Sequence, residues 1–159
     1  MPVRSVRSRG VALAVLIAAA ITAGGAAAAT LSPVEHAFRK SFVKLVPTLN
    51  AATNAVIKDV RDSSHETDAQ VARAFTAVAR QWAAATKPLS SLKAPAPEAT
   101  ILAAIVHYSG AVEVDLLAAA KSGRTHSVSA ANRAGLRLAH DFNTLGVWVG
   151  GLKKKLGLP

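Results

Sequence analysis

Histidines are the residues of this chain best suited to bind a metal ion or to transfer a proton near neutral pH. There are five of them: His36, His65, His107, His126 and His140. In the helical register described below, His36 takes heptad position b, and His107 and His140 take position f, so these three should face solvent. The other two fall in connections between helices. Metal sites in bundles use inward-facing side chains, often Glu-x-x-His pairs that this chain lacks, so we expect no metal site.

Carboxylates offer two further candidates for chemistry. The run DSSHETD at residues 62–68 places three acids and a histidine together, which could hold a cation loosely or form a solvated turn with capping residues. Glu113 and Asp115 lie two residues apart beside the apolar stripe of the third predicted helix. They could form a paired acid and base, but we interpret them as partners of Arg133, Arg137 or neighbouring lysines.

Sequence motifs of the common enzyme classes are absent. The chain contains no Gly-x-Ser-x-Gly, Walker loop, dinucleotide fingerprint or His-Glu-x-x-His. It has no cysteine, which excludes disulfides, thiol catalysis, thiolate metal sites and the haem-attachment motif. The sequence therefore predicts a non-catalytic protein without a cofactor.

The C-terminal tail is the best candidate for a contact surface. Trp148 lies among apolar residues and is followed by Lys153, Lys154 and Lys155. This composition is typical of a segment at a membrane interface. The alternative is a last helical turn that packs on the bundle, with the lysines complementing the negative end of the helix dipole. The sequence leaves both interpretations open.

The charge of the chain favours anionic partners. Lys and Arg number 19 against 9 Asp and Glu, for a net charge of +10. Three of the arginines precede residue 10, and without them the net charge is about +7. Such a charge favours anionic lipid or an acidic wall polymer. Nucleic acid is not expected, because export would separate it from the protein and no aromatic-studded basic motif is present.

Residues 1–29 have the three parts of a secretory signal peptide: an arginine-rich start, an apolar centre and a run of small residues. We expect cleavage before Thr30. The alternative is an uncleaved anchor, since residues 11–31 carry no charge and are long enough to span a bilayer. In both cases the remaining domain, residues 32–159, is exported and lies outside the cytoplasmic membrane.

Four helices must position any functional side chain of that domain. Ser32 and Glu35 form a capping box for the first helix, Thr67 and Gln70 form one for the second, and Ser127 should cap the last. Pro47 should kink or split the first helix, and Gly123 should end the third. Apolar residues in all four segments repeat every 3.5 residues, which predicts an all-α, up-down-up-down four-helix bundle.

Small residues in the predicted core leave space beside the fourth helix. Ala131 and Gly135 occupy stripe positions there, and Trp82 is the largest side chain that could fill the gap. We expect it to be filled, because protein interiors pack densely. An unfilled gap would be a small apolar pocket lined by these three residues, which would suit a carrier of an apolar ligand.

Two short phrases resemble a known group of proteins. LSSLKAPAPEA at residues 89–99 and LKKKLGLP at residues 152–159, together with the alanine-rich leader, are similar to small exported helical-bundle proteins of actinobacteria. Many of those are lipoproteins, whereas this chain lacks the acylated cysteine. The resemblance implies a helical bundle in the cell envelope and implies no reaction. With the charge and leader, the sequence predicts a secreted or envelope-associated binding or structural accessory protein.

Overall fold

The computed structural model describes residues 31–159 and confirms the all-α four-helix bundle. The helices are α1 (Pro33–Asp62), α2 (Asp68–Thr86), α3 (Ala96–Arg124) and α4 (Val128–Lys155). Short 3₁₀ turns at Ser63–His65 and Lys87–Ser91 follow α1 and α2. The predicted leader, residues 1–29, lies outside the described residues.

Consecutive helices are antiparallel neighbours. α1 packs along α2, α2 along α3 and α3 along α4, as short connections require. One end of the bundle therefore holds the start of α2, the end of α3 and the start of α4, and we call it the groove end. The opposite end holds the starts of α1 and α3 and the end of α4, and we call it the lysine end.

The predicted helix caps are confirmed. The Ser32 hydroxyl accepts a hydrogen bond from the Glu35 amide at 3.3 Å, and the Glu35 carboxylate accepts one from the Ser32 amide at 2.6 Å. Thr67 and Gln70 form the second capping box, and the Ser127 hydroxyl accepts from the amide two residues after the first residue of α4. Each such cap contributes about 1 kcal/mol.

The predicted split of α1 at Pro47 and the predicted end of α3 at Gly123 are wrong. α1 continues through Pro47 instead of dividing there, and Pro47 is exposed, so water can bind the carbonyl group that the proline leaves free. Gly123 does not end α3, which continues to Arg124. Gly123 is buried against α2 instead, and a Cβ atom there would lie 2.7 Å from the carbonyl oxygen of Asp68. This glycine allows α2 and α3 to approach closely at the groove end.

The core follows the predicted stripes in α1, α2 and α3. Its fully buried large side chains are Phe42, Leu89, Ile105, Val112, Leu116, Leu152 and Leu156. In α4 the buried stripe begins at Ala134 and Leu138, whereas Ala131 is exposed and Gly135 is half-buried. The core position predicted for Ala131 is therefore wrong, because the first turns of α4 present a different face to their neighbours.

α3 packs against both α2 and α4 and has more buried residues than any other helix of the described chain. Within residues 31–159, it is the one helix long and apolar enough to cross a bilayer by length and composition. Core helices of soluble bundles meet the same criterion. α3 also carries the buried carboxyl groups of Glu98 and Asp115, which the bundle itself covers.

Candidate functional site

The five histidines all have exposed side chains, as predicted for His36, His107 and His140 from their heptad positions. His126 lies in the turn between α3 and α4 with a left-handed backbone (φ 50°). Its Nδ1 is 2.6 Å from Oδ2 of Asp68 at the start of α2. Within residues 31–159, no group of three potential metal ligands comes together.

The predicted pairing of Asp115 with Arg137 is confirmed. Arg137 Nε on α4 donates to Asp115 Oδ1 on α3 at 2.8 Å, and the Asp115 side chain is only 4% exposed. The neighbouring Asp141 is affected by this pair. Burial raises the pKa of Asp141, and the nearby negative charge of Asp115 raises it further. Glu113 instead lines a groove beside α2, so it does not form a site with Asp115.

The C-terminal tail packs on the bundle as the last turns of α4. Trp148 is half-buried against the core, and Leu152 and Leu156 are fully buried. Lys155 Nζ donates to the carbonyl oxygen of Pro97 at 2.8 Å. Lys153 is half-buried, whereas Lys154 and Lys155 are exposed, so their charges remain accessible at the lysine end.

The three residues predicted to surround an apolar pocket do not form a common site in the two most pronounced grooves of the described chain. Trp82 is buried, donates from Nε1 to the carbonyl oxygen of Ser109 at 2.8 Å, and lies 5.7 Å from the Phe142 ring. The exposed Ala131 does not cover it. The Trp82 side chain is thus itself a packed core element.

A groove lies between α2 and the end of α3. It has a volume of about 680 Å³ and is open to solvent. One face of α2 forms its long wall, and Gly123, Arg124 and His126 form the other side. The α2 residues recur at helical spacing, so they share that face: Ala69, Ala72, Arg73, Thr76, Ala77 and Arg80.

The groove is cationic. Arg73, Arg80 and Arg124 line it, all three are exposed, and none of them forms an ion pair within residues 31–159. No carboxylate lines it, and the carboxylate of Asp68 beside it is bonded to His126. We name this set of residues the arginine groove. Guanidinium groups around a recess, none of them in an ion pair, can bind anions.

A hydrogen bond inside the arginine groove holds Arg124 in place. Arg124 Nη1 donates to Thr76 Oγ1 at 3.3 Å, and that hydroxyl donates to the carbonyl oxygen of Ala72 at 2.7 Å. The close approach at Gly123 brings Arg124 next to α2. Most of the donors of Arg124 stay free, because a guanidinium carries five N–H groups.

The arginine groove was not predicted from the sequence. Arg73 and Arg80 are seven residues apart, which places them on one face of α2. This part of the groove could have been recognised from the sequence. The contribution of Arg124 could not be read in the same way, because it depends on how the end of α3 packs against α2.

Comparisons of the chain with family models, curated proteins and solved structures gave no match. The resemblance to exported actinobacterial bundle proteins therefore stays a hypothesis.

Proposed function

We propose that this protein is an exported, non-catalytic binding or structural accessory that contacts anionic surfaces of the cell envelope. The observation that supports this function best is the arginine groove, where three unpaired guanidinium groups line one recess that no carboxylate enters. A concentrated positive potential of this kind attracts polyanions and raises their local concentration.

The proposed location rests on residues 1–29, whose composition is that of a signal peptide. If the leader is cleaved, the bundle begins almost at its own first helix and is released into the envelope. If it is retained, residue 31 joins the anchor to the lysine end, because α1 starts there. Lys153, Lys154 and Lys155 would then lie near lipid head groups, and the arginine groove would lie at the far end of the bundle.

The proposal is tested by sedimentation of the exported protein with isolated wall material and with vesicles that contain anionic phospholipid. We expect association at low salt that is lost at high salt, because exposed charges are screened within about 10 Å at 0.1 M salt. Vesicles of zwitterionic lipid are the control and should bind weakly. Absence of association with both anionic materials at low salt would exclude the proposed function.

The alternative function, a carrier of a small apolar ligand in the bundle core, has no comparable support. It depended on space beside Ala131 and Gly135, and Ala131 is exposed. Mass spectrometry of gently purified protein would reveal such a ligand directly.

A further inference from the structure

We propose that the arginine groove binds a linear, phosphate-bearing polyanion, and that its ligand is a soluble or wall-attached polymer strand instead of a bilayer surface. This inference rests on the proposed function and adds the site and the ligand class.

The arginines are arranged along a line and on both sides of it. Arg73 and Arg80 are separated by seven residues of α2, or about 10 Å along the helix axis. Arg124 reaches the groove from the end of α3, on the opposite side. A strand lying along α2 would therefore pass three guanidinium groups in succession, whereas a single small anion could not contact Arg73 and Arg80 together without drawing both side chains inward.

The chemistry of these groups fits phosphate. A guanidinium presents paired N–H donors that match two oxygens of a phosphate. Thr76 positions one of these groups, since its hydroxyl oxygen accepts the 3.3 Å hydrogen bond from Arg124. The carboxylate of Asp68 is 2.6 Å from His126 Nδ1, and Asp68 is not among the residues that line the groove.

The surroundings of the groove argue against a bilayer. Its small apolar lining residues are Ala69, Ala72, Ala77 and Gly123, which offer nothing to insert into lipid. Protein segments that lie on membranes bury large apolar side chains at the interface. Those side chains occur elsewhere on this bundle: the large apolar residues with strong exposure lie on α1, α3 and α4, and none lies on α2. A recess lined by cations admits a strand, whereas a flat lipid surface cannot enter it.

The test compares two triple substitutions that remove the same charge. R73A/R80A/R124A removes the three guanidinium groups of the arginine groove, and K153A/K154A/K155A removes three positive charges from the lysine end. Each exported variant is titrated with a fluorescently labelled linear polyphosphate at several salt concentrations. We expect the arginine variant to lose about tenfold or more in affinity. The steepness of its plot of log K against log salt should fall by about two to three, because binding with fewer phosphate contacts releases fewer counterions. The lysine variant should retain most of the affinity.

A third variant, R73K/R80K/R124K, keeps the charge and removes the paired donors. We expect it to bind polyphosphate more weakly than the unsubstituted protein and more strongly than the alanine variant. Far-ultraviolet circular dichroism and thermal unfolding verify that each variant is folded, which we expect because the three arginines are exposed.

Three outcomes would overturn the inference. Equal losses in the arginine and lysine variants would show that only net charge matters. Loss of binding to anionic vesicles, with polyphosphate binding unchanged in the arginine variant, would identify a membrane as the occupant of the groove. In both of these cases the proposed envelope function would stand. No binding of the unsubstituted protein to polyphosphate, to vesicles or to wall material at low salt would exclude the inference and the proposed function together.

Discussion

The two ends of this bundle are both basic, but their cations are used differently. At the lysine end, Lys155 donates to the Pro97 carbonyl group, and the lysines lie on the last turn of α4, where they offset the negative end of the helix dipole. Hydrogen bonds from Ser32 lower the pKa of Glu35 there, and Lys155 adds a weaker attraction. At the groove end, Arg73 and Arg80 have no ion-pair partner among the described residues. At the lysine end one of the cations bonds to the fold, whereas we propose that the charge in the arginine groove is available to a ligand.

The largest effect we expect concerns the fold at the lysine end. Leu152→Ala removes a fully buried side chain between Trp148 and the lysines, and such substitutions cost about 2–5 kcal/mol. Equilibrium unfolding in urea measures this loss. Leu136→Ala on the same helix is the control, because Leu136 is 65% exposed and its truncation should cost less than about 0.5 kcal/mol. Equal stabilities of the two variants would show that the tail does not pack on the bundle.

A smaller loss is expected where α2 and α3 meet at the groove end. Gly123→Ala places a Cβ atom 2.7 Å from the Asp68 carbonyl oxygen, so the two helices must separate, at a cost of about 1–3 kcal/mol. The same change should weaken polyphosphate binding, since Arg124 would move away from α2.

Gly110→Ala is the matched control for that substitution. It lies in the same helix, and nothing stands within 4 Å of its added Cβ atom. Alanine is a better helix former than glycine, so this variant should gain about 0.5–1 kcal/mol. A Gly123→Ala variant as stable as Gly110→Ala would contradict the close approach that shapes the groove.

Most of the fold was predictable because it depends on local patterns. The capping boxes at Ser32 and Thr67 are each set within four residues, and apolar stripes at a period of 3.5 predict which helix faces meet. The errors arose where tertiary packing decides. Pro47 stays inside a continuous α1, and Gly123 serves a helix contact instead of a helix end.

The candidate site was less predictable than the fold for the same physical reason. Arg73 and Arg80 share a face of α2 by spacing alone. Their partner Arg124 is 44 residues further along the chain from Arg80, and only the packing of α3 on α2 brings it to the groove. The lysine cluster, by contrast, is contiguous and was found directly, although its packing against Pro97 was not.

The smallest effect we expect is a pH dependence from the α3–α4 contact, which lies away from both basic ends. Burial and the neighbouring Asp115 raise the pKa of Asp141 above its ordinary value of 3.8. His140 and His107 lie close enough to oppose this shift. Arg137 is bound to Asp115. The folded chain thus holds this proton to higher pH than the unfolded chain does. The contribution of Asp141 to stability is therefore present at a pH below its pKa in the unfolded chain, and it is lost as the pH rises through its raised pKa in the folded chain.

Asp141→Asn should therefore stabilise the bundle at neutral pH and weaken this pH dependence. The gain should be about a few tenths of a kcal/mol, because Asp141 is partly exposed and solvent screens the repulsion. Urea unfolding at several pH values measures it. Asp62→Asn is the control with the opposite sign, since it breaks the 3.0 Å ion pair with Lys58 and should slightly destabilise the fold. A destabilised Asp141→Asn variant at neutral pH would contradict this account.

The most direct measurement of the central claim is sedimentation of the purified protein with isolated wall material over a range of salt concentrations. It is carried out side by side for the unsubstituted protein, R73A/R80A/R124A and K153A/K154A/K155A. We predict salt-sensitive association that the lysine variant retains and the arginine variant loses. Association that is insensitive to salt, or that survives removal of the three arginines, would contradict a polyanion-binding groove between α2 and α3.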